Sequence, residues 1–384
     1  MTSPRRLKIG LIGLGRLGSI RARIIAHHQP RMEFVAACDT KPGADQWAAA
    51  NLPSSVKFFA DPVDMMANGG IEAVLISTAT ATHAPLILQA LDLGLHVMCE
   101  KPISVDVLTT EEVLAKAASK PSQVFLVPFT KRYDESYVAT KKMLLDGTLG
   151  DVHAIETHNS DQQEPNGFFV AFSAQSGGIF VDVGIHDIDI ARYFLEPEKS
   201  GKKQVNRVFA VGQQAVYGAL AKTGDADNGW GLVEFANGKV LQMHVGRTLT
   251  NGYESATRVY GTKALSAING NSTINRVEIR DAHGVRTQTT PDAFTLYDAT
   301  FYKDLGEFAG AVLDGTPLTC TLNDAYEAAK IVVALQHSFR TGLPVYFDDD
   351  GRPIMEGVTS VSKTNGANGH ANGTTNGHTN SVAE

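Results

Sequence analysis

Residues 7–28 read "LKIGLIGLGRLGSIRARIIAHH". The run 7–13 is apolar almost throughout, as a strand covered on both faces must be, and 18–28 follows as a helical pattern. Between them Gly13, Gly15 and Gly18 form a G-x-G-x-x-G array that encloses Arg16 and Leu17. In such an array the first glycine permits a tight turn, the second lets a pyrophosphate approach the backbone, and the third allows close helix–strand packing. The helix N-terminus adds free N–H groups and partial positive charge. Taken alone, the hexapeptide fits an ordinary glycine-rich turn equally well. Its setting favours a dinucleotide site: a strand before it, a helix after it, and Asp39 ending the next strand 21 residues beyond Gly18. An acid there accepts hydrogen bonds from ribose hydroxyls and repels a 2′-phosphate. NAD is the expected cofactor, although the nearby cation of Lys41 would tolerate NADP.

The same rhythm continues to about residue 125. Strand-like runs at 34–39, 73–78, 96–101 and 124–129 alternate with helical stretches at 44–50, 83–93 and 107–118. That alternation predicts a doubly wound parallel sheet of the Rossmann type. Beyond residue 150 the pattern changes. Strand-like segments at 151–158, 205–216, 229–236, 239–247, 256–261, 274–280 and 284–289 predict a large, mostly antiparallel open sheet, with Asn237-Gly238 as a hairpin turn. Helices are expected at 177–195, 297–314 and 323–341. The overall expectation is an α/β protein: a Rossmann domain over 1–128, an α+β domain over 129–355 that binds substrate and carries the oligomer contact, and a low-complexity, disordered tail over 356–384.

Composition narrows the function. Apolar residues make up 43% of the 384 positions and charged residues 20%, as in a globular protein. The net charge is −7 and no Lys/Arg run exceeds two residues, which argues against a nucleic-acid partner. No segment approaches the ~18 consecutive apolar residues of a membrane span. The basic, apolar start resembles a signal peptide, but glycines and Arg16 interrupt it and no cleavage site follows. Cys38, Cys99 and Cys320 are odd in number and scattered, so free thiols are expected rather than a disulfide or zinc site. The cytosol is the expected compartment.

Two further stretches carry chemistry. In "EKP", Glu100 and Lys101 end an apolar strand on the side where such sheets bind ligands; alone, Lys101 reads as a solvated strand-end lysine. In "GGIFVDVGIHDIDIARYF", residues 177–194, Asp182 and His186 stand four apart in a helix-like apolar run, a spacing that would place both on one helix face. They read as a catalytic pair, as two metal ligands lacking the rest of a set, or as a helix cap and a core histidine. Asp187 and Asp189 suit either structural or substrate-side hydrogen bonds.

"GLIGLGRLG", "STATATHAPLILQALDLGLHVMCEKPIS", "FTKRYD", "SGGIFVDVGIHDIDIARYF" and "NGYESATRVYGTKA" resemble the glucose–fructose oxidoreductase/inositol dehydrogenase/MocA (Gfo/Idh/MocA) family, its myo-inositol 2-dehydrogenase branch in particular. The likeness spans residues 7 to about 347. It implies a metal-free catalytic triad of Lys101, Asp182 and His186, with His186 as general base, Lys101 beside the developing alkoxide and Asp182 orienting the substrate. It also implies cofactor contacts at Thr78, His83, Glu100 and Lys101, and substrate contacts at His158, Asn159, Asp161, Tyr253 and Tyr297. His83 reads equally as a helix start, and the two tyrosines as packing residues. Pro128 and "DQQEP" depart from the family's usual pattern near the substrate region. The expected function is NAD-dependent oxidation of a secondary alcohol of a cyclic polyol or sugar by a homo-oligomer. The rival readings are another sugar dehydrogenase, an NAD-assisted glycosidase or epimerase, and a non-catalytic dinucleotide-binding regulator.

Overall fold

The computed structural model describes residues 5–196, 203–270 and 273–355. Strand and helix alternate through the first part: β1 (Leu7–Ile12), α1 (Arg16–His28), β2 (Met32–Cys38), α2 (Ala44–Asn51), β3 (Lys57–Phe59), α3 (Pro62–Asn68), β4 (Ala73–Ile76), α4 (His83–Asp92), β5 (His96–Cys99), α5 (Val107–Ala118) and β6 (Phe125–Leu126). The strands form one sheet in the order β3-β2-β1-β4-β5-β6, and every pairing is parallel. Chain order reverses between β1 and β4, the switch point at which open α/β sheets bind ligands. In this part of the chain, sequence reading missed β3 and α3. The edge strand β3 is too short to show a period. The start of α3 was nevertheless marked by Asp61-Pro62, where the Asp61 carboxylate accepts from the Val63 N–H at 2.8 Å.

The second part comprises α6 (Glu135–Leu145), β7 (Val152–Gln162), α7 (Phe168–Ser176), α8 (Ile179–Asp182), α9 (Ile185–Leu195), β8 (Val205–Gln213), β9 (Asn228–Phe235), β10 (Val240–Leu249), β11 (Glu254–Gly261), β12 (Leu265–Ile268), β13 (Thr273–Asp281), β14 (Gly284–Thr289), α10 (Ala293–Leu296), α11 (Asp298–Asp314), α12 (Leu322–Thr341), β15 (Val345–Phe347) and β16 (Pro353–Ile354). Eight of these strands form a sheet in the order β12-β11-β7-β10-β9-β8-β15-β16. It is antiparallel except where β10 runs parallel to β7. Gly238, at a φ of +79°, turns β9 into β10 at the expected hairpin. Strands β13 and β14 were expected in the large sheet but pair only with each other among the described residues. The expected tail over 356–384 lies outside the described residues.

Alternation divides the large sheet into two faces. Val233 and Phe235 of β9 and Leu241, Met243 and Val245 of β10 are buried on the helix-covered side. Phe209, Val211, Trp230 and Leu232 stay 39–49% exposed on the other. The stretch 177–195, expected as one helix, is two. Residues Val183 and Gly184 separate α8 from α9. A Cβ on Gly184 would lie 2.5 Å from the Phe180 carbonyl oxygen and 2.8 Å from Met243, so the break sits where the chain packs tightly on β10.

Candidate active site

A cavity of about 850 Å³ opens beside the β1–β4 switch point and extends to α8 and α9. Its first half is the glycine turn. Gly13 has a φ of +95°, and a Cβ there would stand 2.4 Å from the Ser77 carbonyl oxygen. A Cβ on Gly18 would stand 1.8 Å from the Gly13 carbonyl oxygen, so Gly18 packs α1 against the turn and does not line the cavity. At Gly15 nothing lies within 4 Å of the added carbon, which leaves the backbone approachable. Helix α1 begins at Arg16 with no side-chain cap and no acid in its first turn. Its orphan N–H groups, with Arg16 and Leu17 on the cavity wall, suit the two negative charges of a pyrophosphate.

Asp39 lies at the end of β2, also on the wall. One carboxylate oxygen accepts from the Leu14 N–H at 2.7 Å and the other from the Lys41 N–H at 2.8 Å. Asp39 therefore braces the glycine turn, and each oxygen keeps a lone pair for a ribose hydroxyl. Thr78 and His83 line the cavity as well. The His83 ring, at the start of α4, faces the Pro102 carbonyl at 2.8 Å and the Thr78 carbonyl at 3.1 Å, so whichever nitrogen carries the proton ties the ring to one of them. Glu100 is gripped by Arg21, whose Nε and Nη2 donate to it at 3.0 and 2.8 Å.

Lys101, Asp182 and His186 meet at the other end. The Lys101 ammonium donates to the Asp182 carbonyl at 2.7 Å and to its carboxylate at 3.3 Å. On the far side, Arg247 Nη2 reaches the second carboxylate oxygen at 3.2 Å. Burial pushes the Asp182 carboxyl up, but Lys101 and Arg247 outweigh it and hold it below its ordinary value. Burial, then the charges of Lys101 and Lys131, press the His186 pKa well below 6.5. His186 Nδ1 is buried without a hydrogen-bond partner. A neutral imidazole, a fixed ammonium and an ionised carboxylate thus face one space, which suits proton removal from an alcohol next to an electrostatic anchor for its oxygen.

Of the remaining expected contacts, Asn159, Asp161, Tyr253 and Tyr297 line the cavity and His158 does not. Successive residues of β7 point to opposite faces, so Asn159 and Asp161 look inward while His158 lies on the open face, 3.1 Å from Glu156 and beside the His244 ring. The Tyr253 hydroxyl donates to Asn159 at 2.9 Å, and Asn159 donates to Asp187 at 3.2 Å. The Tyr297 hydroxyl is 2.7 Å from that of Ser255. Asp187 and Asp189 are structural. Asp187 takes the buried Lys131 ammonium at 2.6 Å, and Asp189 takes two Arg132 nitrogens at 2.8 and 2.6 Å. Burial and the neighbouring Asp182 push the Asp161 carboxyl up to about 6, against Arg247, Arg16 and Lys101.

Sequence reading missed Arg247 and an aromatic wall of Phe168, Phe169, Phe172 and Phe294. The Arg16 guanidinium lies 5.6 Å from the Phe168 ring centre and 4.9 Å from that of Phe294. The only sequence signal for the wall was the dense "FFVAF" run at 168–172, which reads equally as core.

Residues 7–127 match the NAD-binding Rossmann domain of an oxidoreductase family, Gfo/Idh/MocA, and residues 141–347 match its C-terminal alpha/beta domain. The oxidoreductase YrbE of Bacillus subtilis is 31% identical over 89% of this chain and 96% of its own length. The scyllo-inositol 2-dehydrogenase (NAD(+)) of the same organism is 29% identical over 89% and 97%. The structure of scyllo-inositol dehydrogenase from Lactobacillus casei with bound NAD(H) and scyllo-inositol matches with a TM-score of 0.83 at 30% identity, covering 89% of this chain and 99% of that one. The chain therefore belongs to the Gfo/Idh/MocA oxidoreductase family.

Proposed function

We propose that this protein oxidises a ring hydroxyl of a cyclic polyol of the inositol class, with NAD as hydride acceptor. The observation that carries the reading is the meeting of Lys101, Asp182 and His186 in a cavity continuous with the glycine turn. The NAD nicotinamide supplies the acceptor for the hydride. His186 takes the hydroxyl proton, for which its neutral state prepares it. Lys101 holds the hydroxyl oxygen as negative charge grows on it, and Asp182 keeps the Lys101 ammonium in place. Asp161, whose carboxyl makes no hydrogen bond among the described residues, and Asn159 accept or donate to the remaining ring hydroxyls. Such polar contacts separate isomers that an apolar pocket would not. The inositol relatives support this substrate class over the aldose and glycosidase readings.

Self-association through the open sheet face belongs to the same proposal, supported by Phe209, Val211, Trp230 and Leu232 exposed together. A cytosolic setting is supported by three buried free cysteines. The test is a panel of inositols and sugars with NAD or NADP, followed by absorbance of the reduced cofactor. Stoichiometric reduced cofactor with an inositol supports the reading. Turnover without any released reduced cofactor would instead indicate an epimerase or glycosidase.

A further inference from the structure

Arg247 stands on β10 in line with Leu241, Met243 and Val245, at the end of the strand nearest α8. Its side chain is fully buried, yet among the described residues its single ion pair is with Asp182 and its Nε and Nη1 have no partner. The Phe169 ring covers the guanidinium at 5.0 Å. A buried cation with two idle N–H groups is a poor device for stability, since an apolar side chain of similar volume would serve the fold as well or better. Its placement is explained by what it holds. Asp182 is pulled from two sides, with one oxygen toward Lys101 at 3.3 Å and the other toward Arg247 at 3.2 Å. A carboxylate fixed at both oxygens cannot rotate, so together with the Asp182 carbonyl, 2.7 Å from the ammonium, it fixes the direction in which Lys101 points.

We propose that Arg247 is a positioning residue: from behind the cavity it locks the Asp182 carboxylate in the orientation that places the Lys101 ammonium beside the reacting hydroxyl. The role rests on the dehydrogenase reading above. The charged and titratable groups facing Asp182 are Lys101, Arg247, Arg16 and Asp161, and His186 shares the cavity. Without Arg247, two carboxyls share the remaining cations, and protonation of Asp182 sets in at higher pH.

The test compares wild type, Arg247→Met and Arg247→Lys by steady-state kinetics, the pH profile of kcat, NAD binding and melting temperature. Arg247→Met is expected to lose about 10–100-fold in kcat, the scale of a displaced catalytic group. Its acid limb should move to higher pH, while NAD affinity and melting temperature stay at or above wild type. Arg247→Lys should recover part of kcat and move the limb back. A Met variant with wild-type kcat and acid limb overturns the role. So does a loss of kcat that tracks a fallen melting temperature, with an unmoved limb and no rescue by lysine. If wild type itself reduces no NAD with any polyol, the dehydrogenase reading fails and this role falls with it, a result distinct from an active wild type with an indifferent variant.

Discussion

The His186 imidazole is buried beside two ammonium groups, and that setting fixes the sign of its pH behaviour. Its folded pKa lies well below 6.5, so between those values the unfolded chain binds a proton that the folded chain does not. The stability it contributes is full above about pH 6.5 and is lost as pH falls through the folded value. Activity follows the same direction. His186→Ala should lower kcat by about 10²–10⁴-fold and remove the acid limb that its own protonation sets, leaving the step set by Asp182, with NAD affinity unchanged, because the glycine turn proposed for the phosphates and ribose is formed by other residues. Steady-state kinetics across pH and a binding titration check this. Asp39→Ser should narrow the preference for NAD over NADP, measured as the ratio of kcat/KM values, since it removes the charge that repels a 2′-phosphate. Lys101, Asp182 and His186 could be picked out through the family resemblance, and the glycines through their spacing. Arg247 could not, because it pairs with a carboxylate 65 residues away and its strand pattern marks only burial. His158 was misplaced because it shares a short polar run with Asn159 and Asp161, and only the strand's two-residue period separates them.

At the level of elements, the acid-rich helix that follows Asp182 answers to "FTKRYD". The short helical turn at 130–133 sends Lys131 and Arg132 into α9, where Asp187 and Asp189 receive them at full burial. Arg132 also reaches the Thr319 carbonyl and Asp324 at the start of α12, which ties three elements together. Removing one partner leaves a buried charge uncompensated, so Asp189→Ala should destabilise the fold by about 3–5 kcal/mol, measured by urea unfolding. A loss under about 1 kcal/mol would show that Arg132 is held by its other contacts. The charge pattern was visible in the sequence and its direction was not: four carboxyl and imidazole groups in one run read as a single polar site. The fold divides them, with Asp182 and His186 toward the cavity and Asp187 and Asp189 toward the basic pair. The break at Gly184 was hidden for a similar reason, since an apolar run with helical spacing does not reveal a change of axis.

Across the whole molecule, Arg21 joins the parallel sheet to the helix that packs upon it. From α1 it spans Glu100 on the cavity wall and Asp304 of α11, at 2.8 and 2.5 Å. Arg21→Met should lower the melting temperature by several degrees and weaken NAD binding, because Glu100 and Asp304 would be left buried without their cation. Thermal melts with and without NAD test both effects. On the open face of the large sheet, the exposed row of Phe209, Val211, Trp230 and Leu232 predicts a homo-oligomer. Light scattering should give a particle heavier than the 41.1 kDa chain at micromolar concentration, and Trp230→Glu should dissociate it. Both layers of the architecture were readable from periodicity, because buried parallel strands and half-covered antiparallel strands leave different patterns. Arg21 was not, since a lone arginine inside a helix carries no mark of the two carboxylates that wait beyond it.

One experiment bears on the whole reading. Purified protein is mixed with NAD and each of a set of inositol stereoisomers, and the absorbance of reduced cofactor is followed for wild type and His186→Ala. We predict that at least one isomer yields reduced cofactor in step with oxidised product, and that the substitution lowers this rate by about 10²–10⁴-fold. No reduction with any isomer would contradict the assigned substrate class. A His186→Ala protein as fast as wild type would contradict the assigned base.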